Sequence, residues 1–144
     1  MIRAEMVAEV LGGERLIGRP VHSLADLSDA VDEGLPKSTL GTVVKRVTRD
    51  PRHRRSIMYG IVPEATYKRR RDRLSRDESE RTERLARITA HALNVWGVEA
   101  DAQDFLAAPH PMLGGRTPVE AAVTDLGARQ VEQILAAIEY GLPV

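Results

Sequence analysis

The stretch SRDESERTERLARITAHALNVWG, residues 75–97, decides the fold of this chain. Ser75 followed three residues later by Glu78 is a capping box, in which the two residues satisfy each other's backbone N–H groups at a helix start. Gly97 supplies the left-handed conformation that ends many helices. The apolar residues of one helical stripe between these signals are Leu85, Ile88, Ala92, Val95 and Trp96. The spacing therefore predicts a long helix from residue 75 to about residue 96, packed on one side.

Short helices separated by Pro and Gly are predicted before this stretch. Residues 3–11 form the first, ended by Gly12-Gly13. Ser23 can cap a second, with Asp26 at its third position and Gly34 at its end. The apolar stripe of the second helix is Leu24, Leu27, Ala30 and Val31. Pro36 suits the start of a third helix, and Asp50-Pro51 marks the next boundary.

Helix signals continue after residue 97. Asp101 can cap a short helix to Ala108, and Thr117 with Glu120 is a second capping box. The last helix is predicted from about Gly127 to Tyr140, capped by Gly141. Aromatic residues make up only 3% of the chain, so the core must be aliphatic. With no alternating β-branched run, the prediction is an all-α fold.

The composition also limits the cellular compartment in which the protein can work. The 144 residues include no cysteine, which removes disulfide and thiol chemistry and fits a reducing compartment. The N-terminus lacks the apolar segment of a signal peptide, and no apolar run approaches the ~20 residues of a membrane span. We expect a cytoplasmic protein.

Charge is distributed unevenly along a chain whose net charge is zero. Residues 1–44 carry 4 Lys/Arg and 7 Asp/Glu, residues 45–73 carry 11 and 3, and residues 74–144 carry 6 and 11. A basic block this dense is typical of a surface that binds a polyanion such as nucleic acid, although a solvated charged face is the alternative. The shift near residue 74 predicts two parts, a DNA-binding domain at 1–73 and a second helical domain at 74–144.

The basic block contains a pattern typical of a helix-turn-helix. Residues 52–59 form a first helix, Gly60 makes a left-handed turn, and Pro63 starts a second helix that runs through Arg73. In such motifs the early residues of the second helix read base edges while basic neighbours hold phosphates. The predicted base-facing residues are Glu64, Thr66, Tyr67 and Lys68. The predicted backbone-facing residues are Arg52, Arg54, Arg55, Arg69, Arg70 and Arg71, joined by His53 and Arg73.

Two reservations belong to this pattern. Arg54-Arg55 lies where the first helix of such a motif normally buries an apolar residue, which indicates a shifted or degenerate motif. A basic helix bound to an acidic protein surface would have the same composition.

Catalysis finds little support in the sequence. The histidines His22, His53, His91 and His110 are far apart, and none pairs at metal-ligand spacing. Gly114-Gly115-Arg116-Thr117 could bind an anion at a helix start, but a glycine pair before a capped helix is ordinary turn chemistry. We predict no enzymatic activity, no metal and no cofactor.

Several strings of the second half resemble the Xre/MbcA/ParS-type antitoxin family. They are Leu-Ser-Arg-Asp-Glu-Ser-Glu-Arg at 74–81, Leu-Ala-Arg at 85–87, Trp96-Gly97, Phe105-Leu106 and Pro-His-Pro-Met-Leu-Gly-Gly-Arg-Thr-Pro at 109–118. Ala128-Arg129, Val131-Glu132 and Ile138-Glu139-Tyr140-Gly141 continue the resemblance. Upstream, Gly34-Leu35-Pro36 and the stretch from Gly60 to Arg70 are similar to the family's degenerate Xre-like DNA-binding half. The resemblance covers residues 35–144.

The resemblance implies a function that composition alone does not. Such proteins are antitoxins of type II toxin–antitoxin pairs, whose partner is a RES-domain toxin that consumes NAD⁺ or uses it for ADP-ribosylation. The antitoxin's C-terminus obstructs the toxin's active-site entrance, and its N-terminal half dimerises and represses the operon by binding operator DNA. The toxin-facing residues implied here are Gly114, Gly115, Arg116, Thr117, Tyr140, Gly141, Leu142, Pro143 and Val144. The alternative function is a stand-alone helix-turn-helix transcriptional regulator.

Overall fold

The structure, a computed structural model, describes residues 2–142 and contains only helices and loops in that range. The helices are α1 (Ala4–Val10), α2 (Gly13–Ile17), α3 (Leu24–Glu33), α4 (Lys37–Val47), α5 (Pro51–Ile61), α6 (Glu64–Arg69), α7 (Arg76–Trp96), α8 (Glu99–Ala107), α9 (Pro118–Ala121) and α10 (Asp125–Glu139), with a 3₁₀ turn at Pro111–Leu113. The predicted all-α fold is confirmed.

The caps predicted from sequence form as expected. Ser75 Oγ accepts from the backbone N–H of Glu78, and a Glu78 carboxylate oxygen accepts from the N–H of Ser75. Thr117 and Glu120 make the same reciprocal pair. Ser23 Oγ accepts from the N–H of Asp26. These local hydrogen bonds fix the helix starts because they satisfy N–H groups that a helix leaves without partners.

One continuous aliphatic core is built around α7. This helix packs against α1, α3, α4, α5, α8 and α10. Its buried residues include Leu85, Ile88 and Ala92, as the stripe predicts, whereas Trp96 is 39% exposed. Trp96 sits at the end of α7 and packs only partly, with its ring centroid 6.1 Å from that of Phe105.

Four local predictions are wrong. Gly60 is not in a left-handed turn, because α5 continues through it to Ile61. The following helix ends at Arg69 instead of Arg73. Leu24, which was predicted to lie on the apolar stripe of this helix, is 71% exposed at the first position of α3. Asp101 lies inside α8, which begins at Glu99 without a side-chain cap.

α7 and α10 run in parallel, so their C-terminal ends lie on the same side of the molecule. Arg84 Nη2 donates to the carbonyl of Val123, just before α10, and Asn94 Nδ2 donates to Glu139 Oε2 at the end of α10. Ten residues of α7 separate the two contacts, which is about 15 Å at the usual helical rise. The C-terminal ends of α7 and α10 therefore lie together.

Candidate functional site

The predicted helix-turn-helix corresponds to α5 and α6, joined by Val62 and Pro63. Val62 is fully buried, and Ile57 and Ile61 anchor α5 to the core. α6 has no fully buried residue. It therefore lies on the surface of the molecule, where its side chains can reach another macromolecule.

Tyr67 fastens α6 to the rest of the protein. Its ring centroid lies 6.3 Å from that of Tyr59 in an edge-on arrangement, and Lys37 Nζ lies 4.3 Å above the ring. Burial, followed by the charge of Tyr59, raises the pKa of the Tyr67 hydroxyl. Lys37 Nζ also donates to the carbonyl of Arg70. Lys37 is thus a cap for the end of α6 that the sequence analysis missed.

Arg70 makes a two-pronged contact within the protein. Its Nε and Nη2 each donate to one carboxylate oxygen of Glu78, both at 3.1 Å. Glu78 is 5% exposed. Burial alone raises the pKa of Glu78, but the hydrogen bonds from Arg70 and Ser75 outweigh it and hold the pKa below its usual value. Arg70, predicted to contact DNA, therefore joins the end of α6 to the start of α7.

Other predicted DNA-facing residues also have protein partners. Lys68 Nζ lies 3.0 Å from Glu64 Oε1 one turn away. Arg69 Nη2 donates to Thr66 Oγ1 at 3.3 Å. Lys68 and Arg69 are exposed, so these contacts can exchange with solvent or with a ligand.

Arg54 explains the departure noted in the first helix. It is half-buried, and its Nε donates to the carbonyl of Thr48 at 2.7 Å. The guanidinium thus ties α5 to the end of α4 at a place where a helix-turn-helix normally has an apolar contact.

Within the basic block at residues 45–73, five exposed cations have no side-chain hydrogen-bond or ion-pair partner among residues 2–142: Lys45, Arg49, Arg52, Arg55 and Arg71. Three of them were predicted to face DNA. Lys45 and Arg49 were not predicted to face DNA, although both lie in the basic block. Lys45 belongs to α4, and Arg49 lies in the turn between α4 and α5. We call these five residues the basic cluster; its unpaired charges can interact with phosphates.

The loop Gly114–Thr117 satisfies its own polar groups. Gly114 and Gly115 have φ of 67° and 83°, and their N–H groups donate to the carbonyls of Pro111 and His110. Arg116 Nε donates to the carbonyl of Leu113, and its Nη2 donates to Gln130. The occupied N–H groups favour the turn interpretation over anion binding.

The C-terminal end of α10 closes as predicted. Gly141, with φ of 68°, donates to the carbonyl of Ile138, and Leu142 donates to the carbonyl of Ala137. This pair of bonds is a Schellman cap. Tyr140 is 71% exposed and Leu142 58%. Pro143 and Val144 lie outside the described residues.

The structure separates the two groups of predicted toxin-facing residues. Thr117 lines a small cavity with Arg81 and Leu85, in the first half of α7 and beside α5. Tyr140 instead follows Glu139, which contacts Asn94 near the other end of α7. The sequence could not separate them because the distance depends on how α10 packs on α7.

Large exposed apolar side chains concentrate in the last third of the described residues. They are Trp96, Val98, Met112, Val123, Leu126, Tyr140 and Leu142, with Leu24 as the eighth residue of this kind in residues 2–142. Trp96 and Tyr140 end the two parallel helices on the same side. Val123 and Leu126 lie at the opposite end of α10, near Arg84. Exposed aromatic side chains such as Trp96 and Tyr140 are typical of a surface that binds another protein.

Neither a metal cluster nor a spanning helix is found in the part of the chain that the structure describes. Residues 2–142 contain no group of three His, Cys, Asp or Glu side chains that could hold an ion. None of their helices is both long and apolar enough to cross a bilayer. The prediction that the protein is not an enzyme stays a prediction.

The fold and the two surfaces define a protein that combines a helix-turn-helix with a helical domain for a protein partner. Residues 26–87 match the antitoxin Xre-like helix-turn-helix domain, and residues 91–141 match the antitoxin Xre/MbcA/ParS C-terminal toxin-binding domain. The chain belongs to the Xre/MbcA/ParS antitoxin family, as the resemblance indicated. The boundary between the two matches falls inside α7, and the predicted division at residues 73 and 74 stays a prediction.

Two curated relatives agree with this assignment. An antitoxin Xre of Pseudomonas putida is 39% identical over 84 residues, which cover 56% of this chain and 53% of that protein. An antitoxin Xre of Photorhabdus laumondii subsp. laumondii is 28% identical over 134 residues, covering 89% of this chain and 88% of that protein. The first match thus spans about half of the relative's length.

Proposed function

We propose that this antitoxin neutralises a RES-domain toxin that consumes NAD⁺ or uses it for ADP-ribosylation, by covering the entrance of its active site. The observation that carries this proposal is the concentration of exposed apolar side chains at residues 96–142. Trp96, Tyr140 and Leu142 at the shared end of α7 and α10 form the contact that inserts against the toxin. Aromatic anchors of this kind supply much of the binding energy in protein interfaces.

The neutralising segment includes the end of the chain. Tyr140 is the last residue before the Schellman cap, and the hydrogen bond from the N–H of Leu142 to the carbonyl of Ala137 fixes the position of Leu142. A segment fixed in this way loses little conformational freedom on binding, which favours affinity. The acidic balance of residues 74–144 would also steer this half toward a cleft that admits the phosphates of NAD⁺.

Truncation tests the toxin half of the proposal. A chain ending at residue 139 should bind DNA normally but fail to restore growth and cellular NAD⁺ when the toxin is expressed. Tyr140→Ser with Leu142→Ser should act in the same direction. Leu24→Ser is the matched control, because Leu24 is equally exposed but lies outside the proposed contact. Full neutralisation by the truncated chain would contradict the proposal.

For the other half of the function, we propose that the protein represses its own operon as a dimer, with the basic cluster holding the phosphates of operator DNA. Arg52 and Arg55 of the cluster lie on α5, and Lys45 and Arg49 lie on α4 and in the turn that leads to α5. The exposed residues of α6 include Glu64, Lys68 and Arg69, and Thr66 is half-buried. Each phosphate contact contributes about 0.9 to the slope of log affinity against log salt concentration.

Charge reversal tests the DNA half. Arg52→Glu with Arg55→Glu should weaken operator binding and reduce the salt slope by about 2. Arg15→Glu with Arg129→Glu is the control, because both residues are exposed and lie outside the basic block. An unchanged salt slope would contradict the assignment. Strong DNA binding by the protein, together with no toxin recovered with it from its own cells, would instead favour a stand-alone regulator.

A further inference from the structure

A cavity of about 270 Å³ lies between α5, α7 and α9, and no residue of the basic cluster lines it. The segment that matches the helix-turn-helix domain contributes α5 and the first part of α7 to its wall. The segment that matches the toxin-binding domain contributes α9. Most of the wall is aliphatic and consists of Ile57, Ile61, Leu85, Val119, Ala122 and Val123. Both matched segments therefore build one apolar cavity.

The size and the walls of the cavity limit what can fill it. One water occupies about 30 Å³ in the liquid, so the cavity corresponds to roughly nine water-sized volumes. A small molecule of roughly nine non-hydrogen atoms matches that volume. The lining includes no Phe, Tyr or Trp ring on which an aromatic ligand could stack, so the walls favour a saturated chain.

A guanidinium group without a carboxylate partner lies in the same wall. Arg81 of α7 is half-buried and lines the cavity. Its Nε donates to the backbone carbonyl of Asp77 in a long hydrogen bond of 3.4 Å. No carboxylate among residues 2–142 lies within ion-pair distance of this guanidinium, so its charge is free to bind an anion.

Two neighbouring groups add to the positive character of this wall. Arg84, one turn further along α7, donates from Nη2 to the carbonyl of Val123 at 3.0 Å. Its Nε is buried without a hydrogen-bond partner, and it forms no ion pair in the part of the chain that the structure describes. His53 of α5 also lines the cavity, and its ring can donate an N–H in either protonation state.

Glu120 is the one carboxylate in the lining, and its charge is already bound. Its Oε1 accepts from the N–H of Thr117 at 2.9 Å. The hydrogen bonds with Thr117, followed by the charges of Arg116 and His53, hold the pKa of Glu120 below its usual value. The two arginines of α7 outweigh this single negative charge, so the cavity favours an anion.

We propose that this cavity binds a small aliphatic monocarboxylate. The chain of the ligand packs against Ile57, Leu85 and Val119, and its carboxylate accepts hydrogen bonds from Arg81, with His53 as a second donor. Charge-assisted bonds of this kind are stronger than neutral ones. An acidic side chain of a partner protein has the same charge, but its stem is too short to cover the aliphatic walls.

Titration of the full-length protein with hexanoate tests the proposal. We expect saturable binding that shifts the methyl signals of Ile57 and Ile61 and the amide signals of α9 in NMR spectra. Hexan-1-ol has the same chain without the charge and should bind at least about tenfold more weakly, the usual effect of losing a hydrogen bond to a charged group. Acetate has the charge without the chain and should also bind at least about tenfold more weakly. No saturable shift, or equal binding of hexanoate and either control ligand, would overturn the proposal.

Variants locate the ligand in the cavity. Arg81→Gln should weaken hexanoate binding about tenfold and leave hexan-1-ol binding unchanged. Arg129→Gln is the matched control, because it removes the same charge from an exposed position of α10 outside the cavity. Val119→Phe keeps every charge but fills part of the space, and should weaken the binding of both ligands about fivefold or more. It therefore tests the site even where Arg81→Gln disturbs folding. Unchanged hexanoate affinity in Arg81→Gln or in Val119→Phe would overturn the proposal.

This site goes beyond the antitoxin function proposed above. Hexanoate binding is measured on the protein alone, without toxin and without DNA. Its failure would therefore leave toxin neutralisation and operator binding as they stand, and failure of either of those would leave the cavity proposal as it stands.

Discussion

The ion pair between Arg70 and Glu78 joins the end of the helix-turn-helix to the central helix, and its removal has a calculable cost. Glu78→Gln keeps the shape of the side chain and its reach to the N–H of Ser75, but removes the charge that Arg70 binds. A hydrogen bond to a charged group contributes roughly 1.5–3 kcal/mol. Arg70 is 38% exposed, so water replaces part of the loss. We expect the free energy of unfolding to fall by about 2 kcal/mol.

A double-mutant cycle measures the pair directly. Urea unfolding of Arg70→Gln, Glu78→Gln and the double variant should give a coupling free energy of about 1 kcal/mol or more. Lys68 and Glu64 are the matched comparison, because both partners of this pair are exposed. That second cycle should give no more than about 0.5 kcal/mol.

The dependence on pH provides a second measurement of the same pair. The pKa of Glu78 is lowered in the folded state, so its contribution is present above the unfolded-state value of about 4.3 and is lost as the pH falls through the folded-state pKa. Glu78→Gln should flatten the acid limb of the stability curve. Coupling as small as that of Lys68 with Glu64, or reduced DNA affinity of Arg70→Gln at unchanged stability, would refute this structural role.

Two further predictions concern stability. Gly60→Ala should stabilise the protein by about 0.5–1 kcal/mol in thermal unfolding, because Gly60 is helical and an added Cβ meets nothing within 4 Å; a loss of stability would indicate the left-handed turn instead. Gly127→Ala is the opposite control, since its Cβ would overlap the carbonyl oxygen of Ala121 and should destabilise the protein. His91 has a lowered pKa, so stability should fall as the pH drops from 7 to 5.5, by at most about 1.4 kcal/mol per pH unit, and His91→Leu should reduce that slope in urea titrations.

Helix starts and ends were predictable because their causes are local. The two capping boxes and the Gly141 cap each involve residues within five positions of one another, and each forms as the sequence indicates. Local hydrogen bonds of this kind depend little on the rest of the fold. The prediction at Gly60 was wrong because a tertiary contact, and not a local hydrogen bond, decides the conformation there. A glycine permits a turn without requiring one, and here Ile61 keeps α5 helical by packing in the core.

The candidate sites were less predictable because they depend on tertiary contacts. The basic block was visible as a count of charges, but the count could not distinguish Arg55, which has no partner within residues 2–142, from Arg70, whose charge is bound by Glu78. Lys45 and Arg49 join the cluster only through the turn between α4 and α5. The cavity that Leu24 and Glu132 both line needs four helices together, and no sequence pattern brings these two residues to one place.

The central helix connects the two surfaces of this antitoxin. Glu78 receives the end of the helix-turn-helix near the start of α7, and Asn94 contacts the end of α10 near its other terminus. Sixteen residues of helix between these contacts correspond to about 24 Å. Both matched family segments contain part of α7, so one continuous helix fixes the distance and direction between them. The shared end of α7 and α10, where Trp96 and Tyr140 lie, is therefore held at the opposite end of α7 from the α6–α7 junction. The toxin contact proposed at Trp96, Tyr140 and Leu142 lies at that end, away from α6.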